Sequence, residues 1–176
     1  MLSNIQTRPT AASEPEDAIS LLLGCHQRIR HFTQVALRLA ENPYAPAADR
    51  ADAAKSVLRY FQIALPLHEA DENESVYPRL REKLSVGELS EANETMVSQH
   101  TEIDRVIAEL IPLWQSTADR GEQLDSHLLA TTEYLQQLWD IHLSLEEEQV
   151  IPALREHLTQ RDLSAIRAEM TSRRQS

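Results

Sequence analysis

Residues 59–84 read "RYFQIALPLHEADENESVYPRLREKL", and residues 133–158 read "EYLQQLWDIHLSLEEEQVIPALREHL". The second stretch lies 74 positions after the first. Eleven of their 26 positions are identical, among them His68/His142, Glu72/Glu146, Val76/Val150, Pro78/Pro152 and Arg81/Arg155. Both run His-x3-Glu and reach a proline ten residues after the histidine. With 28 acidic residues and 8 prolines among 176 positions, one histidine meets both conditions by chance less than once in a hundred. The same shift carries His26 onto His100 and Ile29 onto Ile103. The chain therefore reads as a duplicated helical hairpin.

The flanking sequence supplies the rest of the helices. Residues 1–12 read as a flexible amino-terminal arm, and Ser13 with Glu16 has the spacing of a capping box. From there Ile19, Leu22, Leu23, Ile29, Phe32, Ala36 and Leu37 keep a 3.6-residue apolar rhythm, until Pro43 and Pro46 in "NPYAP" break it. A second helix is expected from about Ala47 past His68, fraying or bending near Pro78. A third starts after Ser85, with a capping-box spacing to Glu88, and runs to about Gln115. Gly121 breaks the chain, and a fourth helix runs from about Glu122 beyond Glu148. Thr159 caps a short terminal helix. The sequence thus predicts an all-α, up-down-up-down antiparallel four-helix bundle over residues 13–158, with a short C-terminal helix and tail over 159–176.

Composition narrows the function. Three glycines against 41% hydrophobic residues favour helix, and 176 residues suit one domain with a useful core. A formal charge of -11, with the basic residues dispersed apart from Arg173-Arg174, repels phosphate backbones, so no nucleic-acid partner is expected. No apolar run approaches the roughly 20 residues of a membrane span. The opening "MLSNIQTRPTAASEP" lacks the apolar core of a secretory signal, and the single Cys25 fits a reducing compartment. A cytoplasmic protein is expected.

The numbering also places the histidines. In an antiparallel pair, residues equidistant from the turn share a height. His26 and His68 are symmetric about residue 47, His68 and His100 about residue 84, and His100 and His142 about Gly121. All four are expected in one layer of the bundle. Glu72 and Glu146 follow their histidines by four residues, on the same helix face one turn along. Two unpaired buried carboxylates cost more than a small domain's margin of about 5–15 kcal/mol unless a cation or proton compensates. Nitrogen and oxygen donors without thiolate suit Fe, Mn or Zn. Six side chains are too many for one ion that keeps an open position. They fit two ions, each with two His, sharing the two Glu as bridges.

At this point the chain resembles the hemerythrin-like, or HHE cation-binding, family, over roughly residues 16–158. The resemblance rests on His26, "HEADENESVYP", His100 and "HLSLEEEQVIP". It implies that His26, His68, His100 and His142 are iron ligands, and that Glu72 and Glu146 bridge two oxo- or hydroxo-linked Fe ions, with Zn or Mn as other occupants. Oxygen-carrying hemerythrins have a fifth histidine where this chain has Asp104, and their fourth-helix carboxylate follows its His by five residues. The six-ligand pattern is closer to bacterial HHE proteins and to iron–sulfur-cluster repair proteins. The latter usually carry an extra Cys-bearing amino-terminal domain, for which this chain has no room.

Other residues have less specific readings. Asp104 either reaches a metal or pairs across the bundle with Arg30, its repeat mate. His31, His127 and His157 read as packing or surface groups, and Cys25 as buried filler. Glu69, Glu74, Glu147 and Glu148 form a mostly solvated acidic face, in which one or two carboxylates could accept an imidazole N–H. Tyr60 and Tyr134 each precede a His by eight residues, and either flank the cavity, donate to a bound peroxide or form a retained core pair. Pro66 either bends the second helix or is tolerated.

Three functional classes follow. The first is a non-haem di-iron protein that binds or senses O2 or NO, or protects against oxidative or nitrosative stress. The second is a di-iron redox enzyme turning over peroxide, O2 or NO, for which no catalytic residue is assigned. The third is an iron-handling or structural bundle that metal only staples.

Overall fold

The computed structural model describes residues 17–84, 88–121 and 126–175; the amino-terminal arm and the capping boxes expected at Ser13 and Ser85 lie outside them. The described residues are helical apart from short turns, with no strand among them. In chain order the α-helices are α1 (Ala18–Glu41), α2 (Ala47–Arg59), α3 (Leu65–Ala70), α4 (Tyr77–Lys83), α5 (Glu88–Arg120), α6 (Ser126–Leu145), α7 (Ile151–His157) and α8 (Gln160–Arg173). Three π-helical turns join pieces of the same rod: Tyr60–Ala64 and Asp71–Val76 within the second arm, and Glu146–Val150 between α6 and α7.

The four arms close a ring. Helix α1 packs on α2 and α6, and α5 packs on α2 and α6. This is the expected four-helix bundle, with α8 laid against α1 and the turn Asp71–Val76. Asp17 caps α1 by accepting from the Ser20 N–H at 2.7 Å. Thr159 and Asp162 form the capping box of α8. Helix α5 carries Pro112 inside it and continues past Gln115, because Thr117 and Ala118 still bury their side chains. It stops at Gly121, whose φ of 61° suits a residue without a Cβ. Arg50 donates to the Ala45 carbonyl and, at 2.5 Å, to that of Gly121, tying the two turns at one end of the bundle.

Two apolar clusters fill the ring. One gathers Ile29, Phe61, Leu65, Ile103, Leu110, Trp114, Leu135 and Trp139. The other gathers Leu22, Val76, Leu80, Met96, Val150, Leu154, Ile166 and Met170. Along each arm the chain passes from one cluster to the other through a polar position: Leu22–His26–Ile29, Leu65–His68–Val76, Met96–His100–Ile103 and Leu143–Glu146–Val150. Between two dry layers lies one layer of imidazoles and carboxylates.

Candidate metal centre

The carboxylates of that layer sit on π turns. Glu72 is the second residue of Asp71–Val76, and Glu146 opens Glu146–Val150. Proline has no N–H and its ring clashes with the carbonyl four residues earlier. Each π turn here ends two residues before a proline: Pro66, Pro78 or Pro152. The widened turn absorbs the clash, so the rods continue where a bend or fraying was expected near Pro78. The repeated proline and the repeated carboxylate are parts of one local device.

The structure brings the six predicted side chains together. His68 Nε2 lies 3.1 Å from Glu72 Oε1, and His142 Nε2 lies 3.5 Å from Glu146 Oε1. Across the bundle His26 Nε2 is 3.1 Å from Glu146 Oε2, and His100 Nε2 is 3.5 Å from Glu72 Oε2. The result is two four-residue groups, His26–His68–Glu72–Glu146 and His100–His142–Glu72–Glu146, in each of which the donor atoms lie within 4.8 Å of one another. Glu72 and Glu146 belong to both. His26, His68, His142 and both glutamates are at most 3% exposed, and His100 is half-buried.

These contacts are short without being hydrogen bonds. Both ring nitrogens of His68, Glu72 Oε2 and Glu146 Oε2 are buried without a hydrogen-bond partner. They are four of the eight such side-chain atoms among the described residues. The Nε2 atoms of His100 and His142 approach to 2.9 Å, with rings tilted by 57°. Two nitrogen lone pairs at that distance repel unless a proton or a cation lies between them. The donor set therefore fits a pair of cations better than it fits its own hydrogen bonding.

Outer partners orient two of the rings. His26 Nδ1 is 3.0 Å from Glu147 Oε1, and Arg30 holds that carboxylate at 2.7 and 3.1 Å. His142 Nδ1 is 3.0 Å from Gln99 Oε1. Each acceptor places the ring proton on Nδ1 and leaves Nε2 facing the centre with its lone pair. Tyr77 donates to Glu146 Oε1 at 3.0 Å and lies 3.6 Å from the Met96 sulfur.

Burial governs the charges. It pushes His68 down to about 3 and His142 to about 4, and lowers His100, so these rings are neutral at ordinary pH. Burial, followed by the charge of Glu146, raises Glu72 well above the usual carboxylate range. Burial opposes ionisation of Glu146 as well, and only a proton on His26 Nε2 and charge on the neighbouring imidazoles would draw it low. With His68 and His142 neutral most of that charge is missing, so the firm direction is the raised one on Glu72. Without a cation the pair retains a proton that a cation displaces. Burial also lifts the Tyr77 phenol far above its ordinary value, so it remains a donor.

The remaining candidates fall elsewhere. Asp104 joins neither group, and Arg30 pairs with Glu147 rather than with it. Asp104 instead sits beside Glu69, whose carboxyl is pushed up to about 7 by burial and then by Asp104. Tyr60 is buried and stacks on Phe32 at 4.2 Å. Tyr134 is 41% exposed and donates to Glu102. No described hydrogen bond or ring contact joins either tyrosine to the six. His31 stands edge-on to Phe32, His127 lies 2.8 Å from Glu109, and His157 is 3.8 Å from Glu156, all away from the layer. Glu74 pairs with Arg173, so of the acidic face only Glu147 meets a candidate ligand. Cys25 is buried beside the Arg28 guanidinium.

Sequence reasoning missed Tyr77 and Gln99. For Tyr77 a signal existed: it immediately precedes Pro78, whereas its repeat mate before Pro152 is Ile151. That mismatch marks where the two halves of the centre differ.

Two comparisons bear on this geometry. The family model described as "Hemerythrin HHE cation binding domain" matches residues 17–154. A Haemophilus influenzae protein, named only as an uncharacterized protein, is 27% identical over 168 residues, covering 90% of this chain and 91% of that one.

Proposed function

Taking as premise that the chain belongs to the hemerythrin HHE cation-binding family, we propose that it is a non-haem di-iron protein that binds or senses O2 or NO, or protects against oxidative or nitrosative stress. The observation that carries this is the pair of four-residue groups sharing Glu72 and Glu146. In the proposal His26 and His68 hold one iron, His100 and His142 the other, and the two glutamates span both. Iron held there supplies an exchangeable position and a one-electron change suited to a small diatomic ligand or peroxide.

The chain's own residues do the rest. Glu147, anchored by Arg30, aims His26, and Gln99 aims His142. Tyr77 holds one oxygen of Glu146, which leaves the other facing His26. The two apolar clusters keep bulk water away, which strengthens every charge interaction in the layer. Among the described residues no helix is long and apolar enough to cross a membrane. A cytoplasmic setting belongs to the same reading, since one cysteine fits a reducing compartment.

The test loads the purified chain with Fe(II) under nitrogen and titrates it with NO and with O2, followed optically. Saturable binding without consumption of added reductant supports a binding or sensing protein. Continuous consumption of peroxide, O2 or NO under reductant would replace this reading with a di-iron enzyme. A chain whose helicity and melting temperature depend on metal, but which takes up neither gas, would be a metal-stapled bundle.

A further inference from the structure

The last turn of α8 reaches the metal layer from outside the ring. Asp71 is fully buried, and both its oxygens are taken by guanidiniums: Arg173 Nη1 donates to Oδ1 at 3.0 Å, and Arg174 Nη2 donates to Oδ2 at 2.6 Å. Arg173 also donates to Glu74 Oε2 at 3.1 Å and to Ser75 Oγ at 2.9 Å. Arg174 Nη2 is 3.5 Å from the Cys25 sulfur, and its Nη1 donates to the Met170 carbonyl at 2.7 Å. Asp71 directly precedes Glu72, and Cys25 directly precedes His26. Two adjacent arginines thus grip the neighbours of candidate ligands on two different arms.

We infer that Arg173 and Arg174 are positioning residues for the metal centre, acting through Asp71 on the π turn that presents Glu72. The inference rests on the iron-binding reading above. A π turn carries one residue more than the α-helical path, and a register change of one residue rotates a helix by roughly 100°. Relaxation of Asp71–Val76 toward α-helix would swing Glu72 off the centre. Asp71, Glu74 and Ser75 all lie in that turn, and Arg173 binds all three. A buried carboxylate that lost its guanidiniums would move toward water and carry the turn with it. Helix α8 has fastenings apart from the clamp: Ile166 and Met170 are buried in the second apolar cluster, and Glu169 pairs with Arg79 at 2.7 Å. The arginines therefore set the position of the turn on a helix that apolar packing already holds.

The test compares the full chain with the Arg173→Gln/Arg174→Gln double variant. Amide hydrogen exchange over residues 71–77 is measured without metal. Iron release to a ferrous chelator and the near-ultraviolet charge-transfer band of the ferric pair are measured after loading. The inference expects retained helicity, exchange in this turn about tenfold faster, release of iron about tenfold faster, and a shifted band. Exchange, release and band within twofold of wild type, even with a lower melting temperature, would overturn it and leave the arginines a purely structural fastening. If the double variant fails to fold, Arg174→Lys keeps the charge and loses the fork, and the same readouts decide. A wild-type chain that takes up no iron would defeat the proposed function, while exchange in the metal-free chain would still judge the clamp.

Discussion

The Tyr77 hydroxyl lies 3.0 Å from Glu146 Oε1, joining residues 69 apart in the chain across the centre of the bundle. Glu72 has no matching phenol, because Ile151 occupies the repeat position of Tyr77. Two carboxylates related by duplication thus have different surroundings. Tyr77→Phe is expected to fold, keep two metals and lose about 1 kcal/mol of stability. The charge-transfer band of the iron-loaded protein should shift as Glu146 loses its donor. Thermal unfolding and optical spectra check this, and an unchanged band would show that the phenol does not tune the centre.

The Arg30–Glu147–His26 relay makes a separate prediction. Removing an outer partner of a metal-binding imidazole lowers metal affinity by about 10–100-fold. Glu147→Ala should do this with little change in helicity, since the Arg30–Glu147 pair lies at the surface, with both side chains about one-third exposed. Competition with a chelator of known affinity measures the change. Affinity equal to wild type would mean that His26 is aimed by packing alone.

Glu69 gives a pH prediction. Its folded value is raised to about 7 from an ordinary 4.5, by burial first and then by Asp104. The native state therefore holds a proton that the unfolded chain releases. The stability this contributes is present below about pH 4.5 and is lost as pH rises through about 7. Glu69→Gln, which stays neutral throughout, should raise the melting temperature of the metal-free chain at pH 8 and leave it nearly unchanged at pH 4.5. The same difference at both pH values would contradict the assignment.

Gly121 tests the fold apart from the site. At its φ of 61° a Cβ would lie 3.1 Å from Ala47 Cβ and 3.4 Å from the Ala47 carbonyl oxygen. Gly121→Ala should cost about 1–2 kcal/mol, seen as a lower midpoint in urea, with metal content unaffected. An unchanged midpoint would mean that the turn relaxes freely.

Much of this was legible in the sequence because the signals were local or repeated. The four arms followed from apolar periodicity, from Pro43 and Pro46, and from Gly121. The layer of six followed from a 74-residue shift and the symmetry of antiparallel helices. The π turns were not legible: Pro66 and Pro78 announced a disturbance, but whether a helix bends, frays or widens depends on what packs around it. Tyr60 and Tyr134 looked equivalent, yet one stacks on the Phe32 ring and the other donates to Glu102; the repeat mate of Phe32 is Val106, which offers no ring. The pair Arg173-Arg174 read as a short basic tail. Its target, Asp71, lay hidden in an acidic run beside the candidate ligand Glu72 and the exposed Glu74.

The most direct measurement of the central claim is iron per chain by elemental analysis, after anaerobic loading and removal of free metal, in wild type and in Glu72→Ala and Glu146→Ala. Both glutamates belong to both four-residue groups, so in the proposal each serves both metals. The account predicts two irons in wild type and clearly fewer than two in each variant, with helicity retained in all three. A wild-type chain without iron, or variants that hold as much iron as wild type, would contradict it.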